Sequence, residues 1–168
     1  MSEVFEYYTY EITDEKATII DVDTSISGII TIPSTIGDYP VTGIGNNAFK
    51  NCLEVTSVTI PNGVTSIGNF AFYGCAKLTS VTIPNSLLEM NYWVFEECPL
   101  FTDIYYRGTE YQRRNSIIDD MVPTNVQWHY SINGKIKKDN TLKSIAEIFV
   151  ISKGKKKLVT DVSKLKSI

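Results

Sequence analysis

Three cysteines, Cys52, Cys75 and Cys98, recur at a spacing of 23 residues, and thiol chemistry is the first chemistry that the sequence offers. If the fold brings them together, they could form a disulfide or bind a metal. Zinc sites are built from closely spaced Cys or His pairs, and the sequence contains none. Free cysteine also behaves as a small hydrophobic residue, so we favour a column of buried thiols. Oxidation between neighbouring thiols stays open, since adjacent strands lie about 4.8 Å apart.

The remaining reactive residues do not indicate a catalytic site. His129 is the only histidine, which removes most Ser-His-Asp and Cys-His arrangements and histidine-based metal sites. No nucleophile elbow, phosphate-binding loop or dinucleotide-binding glycine pattern occurs in the sequence. The carboxylate pairs, such as Asp119 and Asp120, are sequence neighbours and would diverge on a regular element. We therefore predict that the chain is not an enzyme and has no catalytic, cofactor-binding or metal-binding residues.

The spacing of the cysteines follows a repeat that organises most of the chain. Residues 55–77 have the sequence VTSVTIPNGVTSIGNFAFYGCAK, and residues 78–100 have the sequence LTSVTIPNSLLEMNYWVFEECPL. Residues 27–54 form an earlier copy with five additional residues. Repetition at a period of about 20–50 residues predicts a solenoid in which each repeat forms one coil.

The residue pattern within one repeat predicts three sides of a coil. Val58 and Ile60 alternate with small polar residues, as in a half-buried strand, and Pro61 ends that run. A second short extended run covers residues 64–67, and the segment around Phe72 suits a single helical or 3₁₀ turn. Stacked coils should then align equivalent apolar residues into buried columns, because one coil cannot bury its own apolar face. The predicted columns are Ile30/Val58/Val81/Ile104, Ile32/Ile60/Ile83/Tyr106, Val41/Val64/Leu87, Ile44/Ile67/Met90, Ala48/Ala71/Val94, Phe49/Phe72/Phe95 and Cys52/Cys75/Cys98.

The repeat pattern LTSVTIPNxVTSIGxxAFxxC resembles the BspA-like (Treponema pallidum type) leucine-rich repeats, and the resemblance covers residues 5–130 once the end segments are included. It implies an α/β solenoid, right-handed and curved, with a parallel β-sheet along one face. It also implies a family of mostly surface or secreted interaction proteins, with adhesion to host matrix proteins and to other cells. The resemblance implies no catalytic residues.

The predicted domain organisation has two parts. Residues 1–130 form the leucine-rich repeat domain, and residues 131–168 form a basic tail with a β-hairpin. Within the domain, residues 1–26 are an N-terminal β-hairpin cap, with one strand at 4–12 and its return at 17–22. Residues 27–100 are three repeats, and residues 101–130 are a C-terminal cap. The C-terminal cap contains a fourth strand, a helix at 110–118 that Thr109 and Gln112 cap reciprocally, and a closing strand at 125–130.

Charge is divided unevenly between these two parts. Residues 131–168 contain ten lysines and three acids, a net charge of +7, whereas residues 1–130 carry −10. Such asymmetry suggests an interaction. The tail could dock on the acidic solenoid, self-associate with another copy, begin a further module, or bind an anionic polymer such as cell-wall phosphate. Lysine runs without arginine or interleaved aromatic residues argue against nucleic acid as a partner.

The sequence gives only partial information about the cellular location of the protein. No apolar run approaches the length of a membrane helix, so we predict no membrane insertion. No signal peptide is recognisable at the start, which leaves an intracellular chain and a chain that begins at its mature end as two open interpretations. The resemblance implies an extracellular or cell-surface location.

The predicted partner-binding surface is the outward side of the strands, where equivalent residues should form ladders. Solenoids use such extended faces for binding, so we expect a protein partner, with a host or cell-surface protein as the type that the resemblance implies. Two alternatives are a structural spacer or self-assembly module that uses the basic tail, and a glycan- or cell-wall-binding module that uses Tyr and Trp. Phe70 and Trp93 share a column on another side, where we expect them to pack over the coil. The candidate binding residues are Ile29, Thr31, Thr56, Ser57, Thr59, Thr79, Ser80, Thr82, Asp103, Tyr105 and Arg107.

Overall fold

A computed structural model describes residues 2–114, 122–132, 135–136, 148–152 and 155–159. The chain divides into two compact units, residues 1–138 and 139–168. The elements of the first unit, in chain order, are β1 (Ser2–Phe5), β2 (Tyr8–Thr13), β3 (Lys16–Val22), β4 (Gly28–Thr31), β5 (Thr35–Ile36), β6 (Tyr39–Ile44), β7 (Val55–Thr59), β8 (Ser66–Ile67), β9 (Ser80–Ile83), β10 (Glu89–Met90), β11 (Asp103–Tyr106), α1 (Glu110–Arg114), β12 (Gln127–Ile132) and β13 (Lys135–Ile136).

The first unit is a solenoid with one sheet on each of two sides. A six-stranded sheet has the order β4-β7-β9-β11-β12-β13, and its strands are parallel except for β13. The second sheet has the order β1-β2-β3-β6-β8-β10, with β5 paired to β6. The predicted parallel-sheet solenoid is therefore confirmed. Its register is also confirmed, because Ile30 pairs with Val58, Val58 with Val81, and Val81 with Ile104.

The third side of each coil consists of hydrogen-bonded turns. The sequence predicted a helical or 3₁₀ turn here, but α1 is the only helix among the described residues. Backbone bonds connect the turns of neighbouring coils: Phe49 N–H donates to Ala71 O at 2.7 Å, and Phe72 N–H donates to Val94 O at 3.0 Å. Within the turns, Lys50 N–H donates to Asn47 O at 2.9 Å and Tyr73 N–H donates to Phe70 O at 3.0 Å, which are i→i−3 bonds of the 3₁₀ type. The predicted single turn therefore has the expected bonds, but it does not continue into a helix.

The N-terminal cap has three antiparallel strands, not the two that were predicted. A turn at Glu6 and Tyr7 divides the predicted first strand into β1 and β2. Glu6 has a positive φ of 54°, and no Gly, Asn or Pro marks this turn in the sequence, so the pattern did not reveal it. The β2–β3 hairpin was predicted correctly. β3 then pairs in parallel with β6, so the cap extends the second sheet.

The C-terminal cap begins where the repeat register ends. Gln112 N–H donates to Thr109 Oγ1 at 3.2 Å, and Thr109 N–H donates to Gln112 Oε1 at 2.8 Å, which is the predicted reciprocal cap of α1. α1 is described only to Arg114, and residues 115–118 of the predicted helix lie outside the described residues. The guanidinium of Arg113 lies 4.8 Å from the ring centre of Trp128. This cation–π contact joins α1 to β12.

The second unit contains β14 (Ile148–Ser152) and β15 (Lys155–Val159), which pair antiparallel. The remaining residues of the predicted basic tail lie largely outside the described residues.

The core of the solenoid consists of the predicted columns, except that Ile30 and Cys98 are only partly buried. The stacked rings of Phe49 and Phe72 have centroids 4.8 Å apart, and those of Phe72 and Phe95 are 5.7 Å apart. Cys52 and Cys75 are fully buried beside them. The Cys75 thiol donates to Phe49 O at 3.1 Å, and all three thiols are free.

Because of Cys52, the free energy of unfolding should vary with pH in the alkaline range. Burial, together with the nearby carboxylates of Asp21 and Asp23, raises the pKa of its thiol to about 11. Above about pH 8.5 the unfolded thiol ionises while the folded thiol stays protonated, so the free energy of unfolding should fall as the pH approaches about 11. Urea unfolding across this range should show a shallower decline for Cys52→Ala. Parallel profiles for the two proteins would contradict the assignment.

Candidate functional site

The outward side of the six-stranded sheet, called the strand face here, contains the predicted ladders. Ile29, Ser57, Ser80 and Asp103 lie in register, and so do Thr31, Thr59, Thr82 and Tyr105. The repeat spacing places Gly28 at the position equivalent to Thr56, but a β-bulge pairs Gly28 with Val55 instead. The sheet therefore brings the candidate residues together on one continuous surface.

Hydroxyl groups in the middle of the strand face bond mainly within the sheet. Ser57 Oγ and Ser80 Oγ are 3.0 Å apart, and Thr79 Oγ1 donates to Thr56 O at 2.9 Å. Short side chains that satisfy one another leave a flat surface with few directed polar groups. This central region can offer shape and area to a partner, but little residue-specific recognition.

At the C-terminal end of the strand face, two candidate residues contact a histidine that sequence reasoning had assigned only to the closing strand. His129 is 4% exposed, and its Nε2 lies 2.6 Å from Asp103 Oδ1. The ring of Tyr105 stacks on the His129 ring with centroids 4.5 Å apart. Thr102 Oγ1 also donates to Asp103 at 2.8 Å. Asp103 and Tyr105 therefore help to attach the closing strand β12 to β11, which the sequence did not indicate.

Arg107 and Ile29 differ from these residues because both remain exposed. Arg107 Nη1 donates to Asn62 Oδ1 at 3.3 Å, which directs the guanidinium along the edge of the strand face across one intervening coil. Ile29 is 80% exposed at the opposite end, and Thr31 beside it is also exposed. The positions available for specific contacts therefore lie at the two ends of the sheet.

A second surface, which the site prediction missed, lies on the turn side of the solenoid. Its aromatic cluster consists of Phe70, Tyr73, Tyr92 and Trp93. Trp93 stacks on Phe70 at 5.2 Å as the shared column suggested, but Trp93 remains 55% exposed and Tyr92 57% exposed. Lys50 Nζ lies 5.4 Å from the centre of the Tyr73 ring. The sequence signal was the recurrence of aromatic residues at equivalent positions of two coils.

The backbone of the aromatic cluster is strained. Phe70 and Trp93 have φ values of 58° and 57°, and Asn47 occupies the same position of the preceding coil with a φ of 60°. Asparagine tolerates this left-handed conformation, whereas bulky residues rarely adopt it. Phe70 is partly buried, but Trp93 is exposed at this position, so neither burial nor backbone preference explains the Trp93 ring.

Among the described residues, no group of three or more His, Cys, Asp and Glu side chains could hold a metal ion. No helix in the described part of the chain is long and apolar enough to cross a membrane.

Comparison with a family model supports the repeat assignment. A model described as "BspA type Leucine rich repeat region" matches residues 41–117 in six copies. Among curated proteins, the comparison found no significant match.

Solved structures share the architecture. A leucine rich cell surface protein from Faecalibacterium prausnitzii is 34% identical with a TM-score of 0.55, covering 63% of this chain and 33% of that one. A leucine-rich repeat protein from Bacteroides capillosus is 30% identical with a TM-score of 0.50, covering 64% of this chain and 99% of that one. The T. pallidum leucine-rich repeat protein, at 22% identity and a TM-score of 0.57, shares the fold and covers 78% of this chain and 65% of that one.

The parallel register and the repeated coils define a leucine-rich repeat solenoid. The chain belongs to the BspA-type leucine-rich repeat family, as the repeat pattern indicated. Members of this class are typically protein-interaction modules. The chain spans 33% of the F. prausnitzii structure, so it corresponds to a part of that longer protein.

Asp103→Ala should destabilise the solenoid, because it leaves the buried His129 ring without its carboxylate partner. We expect a loss of about 1–3 kcal/mol in the free energy of unfolding, measured by urea denaturation. Asp103→Asn, which keeps an oxygen acceptor, should lose less. Glu89→Ala, which removes an exposed carboxylate, is the control. A loss below about 0.5 kcal/mol for Asp103→Ala would show that the Asp103–His129 contact is dispensable.

Proposed function

We propose that this chain is a non-catalytic protein-interaction module of a cell-surface or secreted protein that takes part in adhesion, binding a protein partner through the strand face. The family supports an interaction role. The relative from F. prausnitzii is described as a cell surface protein, which supports the location. A host or cell-surface protein is the partner type that fits this role.

The observation that carries the proposal is the continuity of the strand face. Five parallel strands form it, and three of them, β4, β7 and β9, place small hydroxyl side chains in register. Ile29 and Arg107 flank this flat area. Flat surfaces with exposed apolar and arginine residues at their margins suit a protein partner, since arginine and large apolar side chains contribute strongly to interface energy. The exposed residues Ile29, Thr31 and Arg107 are better candidates for specific contacts than Asp103 and Tyr105, which hold β12.

Thr82→Arg should weaken binding of the full chain to its target in a panel of immobilised extracellular-matrix proteins. The long charged side chain would stand in the centre of the flat face and prevent close approach. We expect at least a tenfold loss of affinity, which corresponds to about 1.4 kcal/mol. Surface plasmon resonance measures the change.

Ala76→Arg is the matched control, because it adds the same side chain at an exposed position on the turn side. Equal affinity of both arginine variants and the parent would place the partner elsewhere. Thermal unfolding of both variants must match the parent, so that lost binding cannot come from unfolding.

The aromatic cluster favours a second candidate function, the binding of a glycan. Sugar rings present apolar C–H faces that stack on exposed Trp and Tyr, while their hydroxyl groups remain hydrogen-bonded. Trp93 and Tyr92 lie next to each other with centroids 5.5 Å apart, and both are more than half exposed. This candidate uses a surface separate from the strand face.

Trp93→Asn tests the glycan function. Asparagine removes the ring but accepts the left-handed backbone, as Asn47 does in the preceding coil. If the cluster binds glycan, migration of the parent in native gels should be retarded by soluble cell-wall polysaccharide, and Trp93→Asn should abolish the retardation. Tyr7→Ala, an exposed tyrosine in the N-terminal cap, should leave it intact. Unretarded migration of the parent would reject the glycan candidate.

A further inference from the structure

β4 is the first strand of the six-stranded sheet. Among the described strands it pairs only with β7, so within the described part of the chain one of its edges has no strand partner. The N-terminal cap does not cover this edge by strand pairing, because β3 continues the other sheet through β6. An open sheet edge presents unpaired peptide groups that natural proteins usually protect.

The hydrogen bonds of β4 identify which backbone groups face outward. Gly28 N–H donates to Glu54 O at 2.9 Å, and Ile32 N–H donates to Thr59 O at 3.0 Å. Peptide groups of successive residues alternate between the two edges of a strand. The N–H and C=O groups of Ile29 and Thr31 therefore point to the open edge. Their spacing matches a polypeptide strand, which a sugar or nucleic acid backbone does not reproduce.

The side chains at this edge offer apolar contacts on both sides of the sheet. Ile29 is 80% exposed on the strand face. Ile30 is only half-buried on the core side, whereas its column partners Val58, Val81 and Ile104 are fully buried. Ile30 is the first residue of its column, and no preceding coil in the described residues covers it. An added strand could cover Ile30 with one apolar residue and Ile29 with the next.

The charge around this edge favours some added strands over others. Residues 17–49 contain three acids, Asp21, Asp23 and Asp38, and no lysine or arginine. Asp21 and Asp23 are exposed in the segment that leads into β4. The local lysines that commonly protect an edge strand are therefore missing, and the surrounding charge favours a basic partner.

We propose that the open edge of β4 binds an extended, apolar segment with flanking lysines from a partner protein, by β-strand addition. The backbone groups of Ile29 and Thr31 supply the hydrogen bonds, the two isoleucines supply apolar contacts on either side of the sheet, and the acidic surroundings attract the lysines. This binding mode goes beyond the strand-face proposal, because it depends on main-chain groups at the sheet edge and not on the face itself.

The probe for this mode is a synthetic peptide, Lys-Val-Ile-Val-Thr-Lys, titrated against the full chain by calorimetry. A version with every internal amide N-methylated keeps the side chains and charges but cannot donate backbone hydrogen bonds. We expect the parent peptide to bind and the N-methylated version to lose at least tenfold in affinity. Equal binding of the two peptides, or no binding of either, would overturn strand addition.

The matching protein variant is Ile29→Lys, which adds a charge at an exposed edge position and should lower peptide affinity at least tenfold. Leu53→Lys adds the same charge at another exposed apolar position and should change affinity less than twofold. An equal loss of peptide affinity in both variants would mean that the effect comes from the added positive charge in general. It would overturn the assignment of the site to the β4 edge. Light-scattering mass of the peptide-free chain completes the test: a dimer that Ile29→Lys makes monomeric would mean that a second copy, not a different protein, occupies the edge.

Discussion

The structure depends on one constraint, which is that every coil must be covered by its neighbours at equivalent positions. One coil alone is too thin to cover its own apolar side chains. The rings of Phe49, Phe72 and Phe95 are therefore buried only when the coils stack on one another. Each such burial contributes about 1.5–3 kcal/mol. Hydrogen bonds between residues 23 positions apart, such as Asn69 N–H to Asn46 Oδ1 at 2.7 Å, hold the same register. A shift of one coil by one residue would break both sets of contacts together.

The same constraint explains the ends of the solenoid. At one end Tyr8 of the N-terminal cap packs edge-on against Phe49, and at the other Phe101 stacks on Phe95 at 4.3 Å. The closing strand β12 extends the sheet further through the contacts of His129 with Asp103 and Tyr105. The N-terminal cap covers the second sheet by strand pairing, and one edge of β4 has no strand partner among the described residues. The two ends of the six-stranded sheet are thus chemically different.

The regular centre of the strand face and the positions where the repeat is interrupted suit different roles in binding. The centre of the strand face repeats small hydroxyl residues, so under the proposed function it would contribute area and flatness to binding. In the same proposals, specific recognition is assigned to positions where the repeat is interrupted: Ile29 and Arg107 on the strand face, and Trp93 on the turn side. The left-handed backbone at Trp93 costs stability, in the range of about 1–3 kcal/mol for strained residues, and so marks this position as one where another property has been favoured.

Periodicity in the sequence was sufficient to determine the solenoid, its register and its buried columns, because stacking converts spacing along the chain directly into contact. It also determined the reciprocal cap of α1, which depends on residues only three positions apart. The turn inside the N-terminal cap, the bonds between neighbouring turns of the third side and the commitment of Asp103 and Tyr105 to His129 were decided by the tertiary structure. These features depend on backbone bonds between coils, or on pairs such as Asp103 and His129 that lie 26 residues apart outside the repeat. The local residue pattern does not predict such contacts, because the two partners come together only when the coils stack.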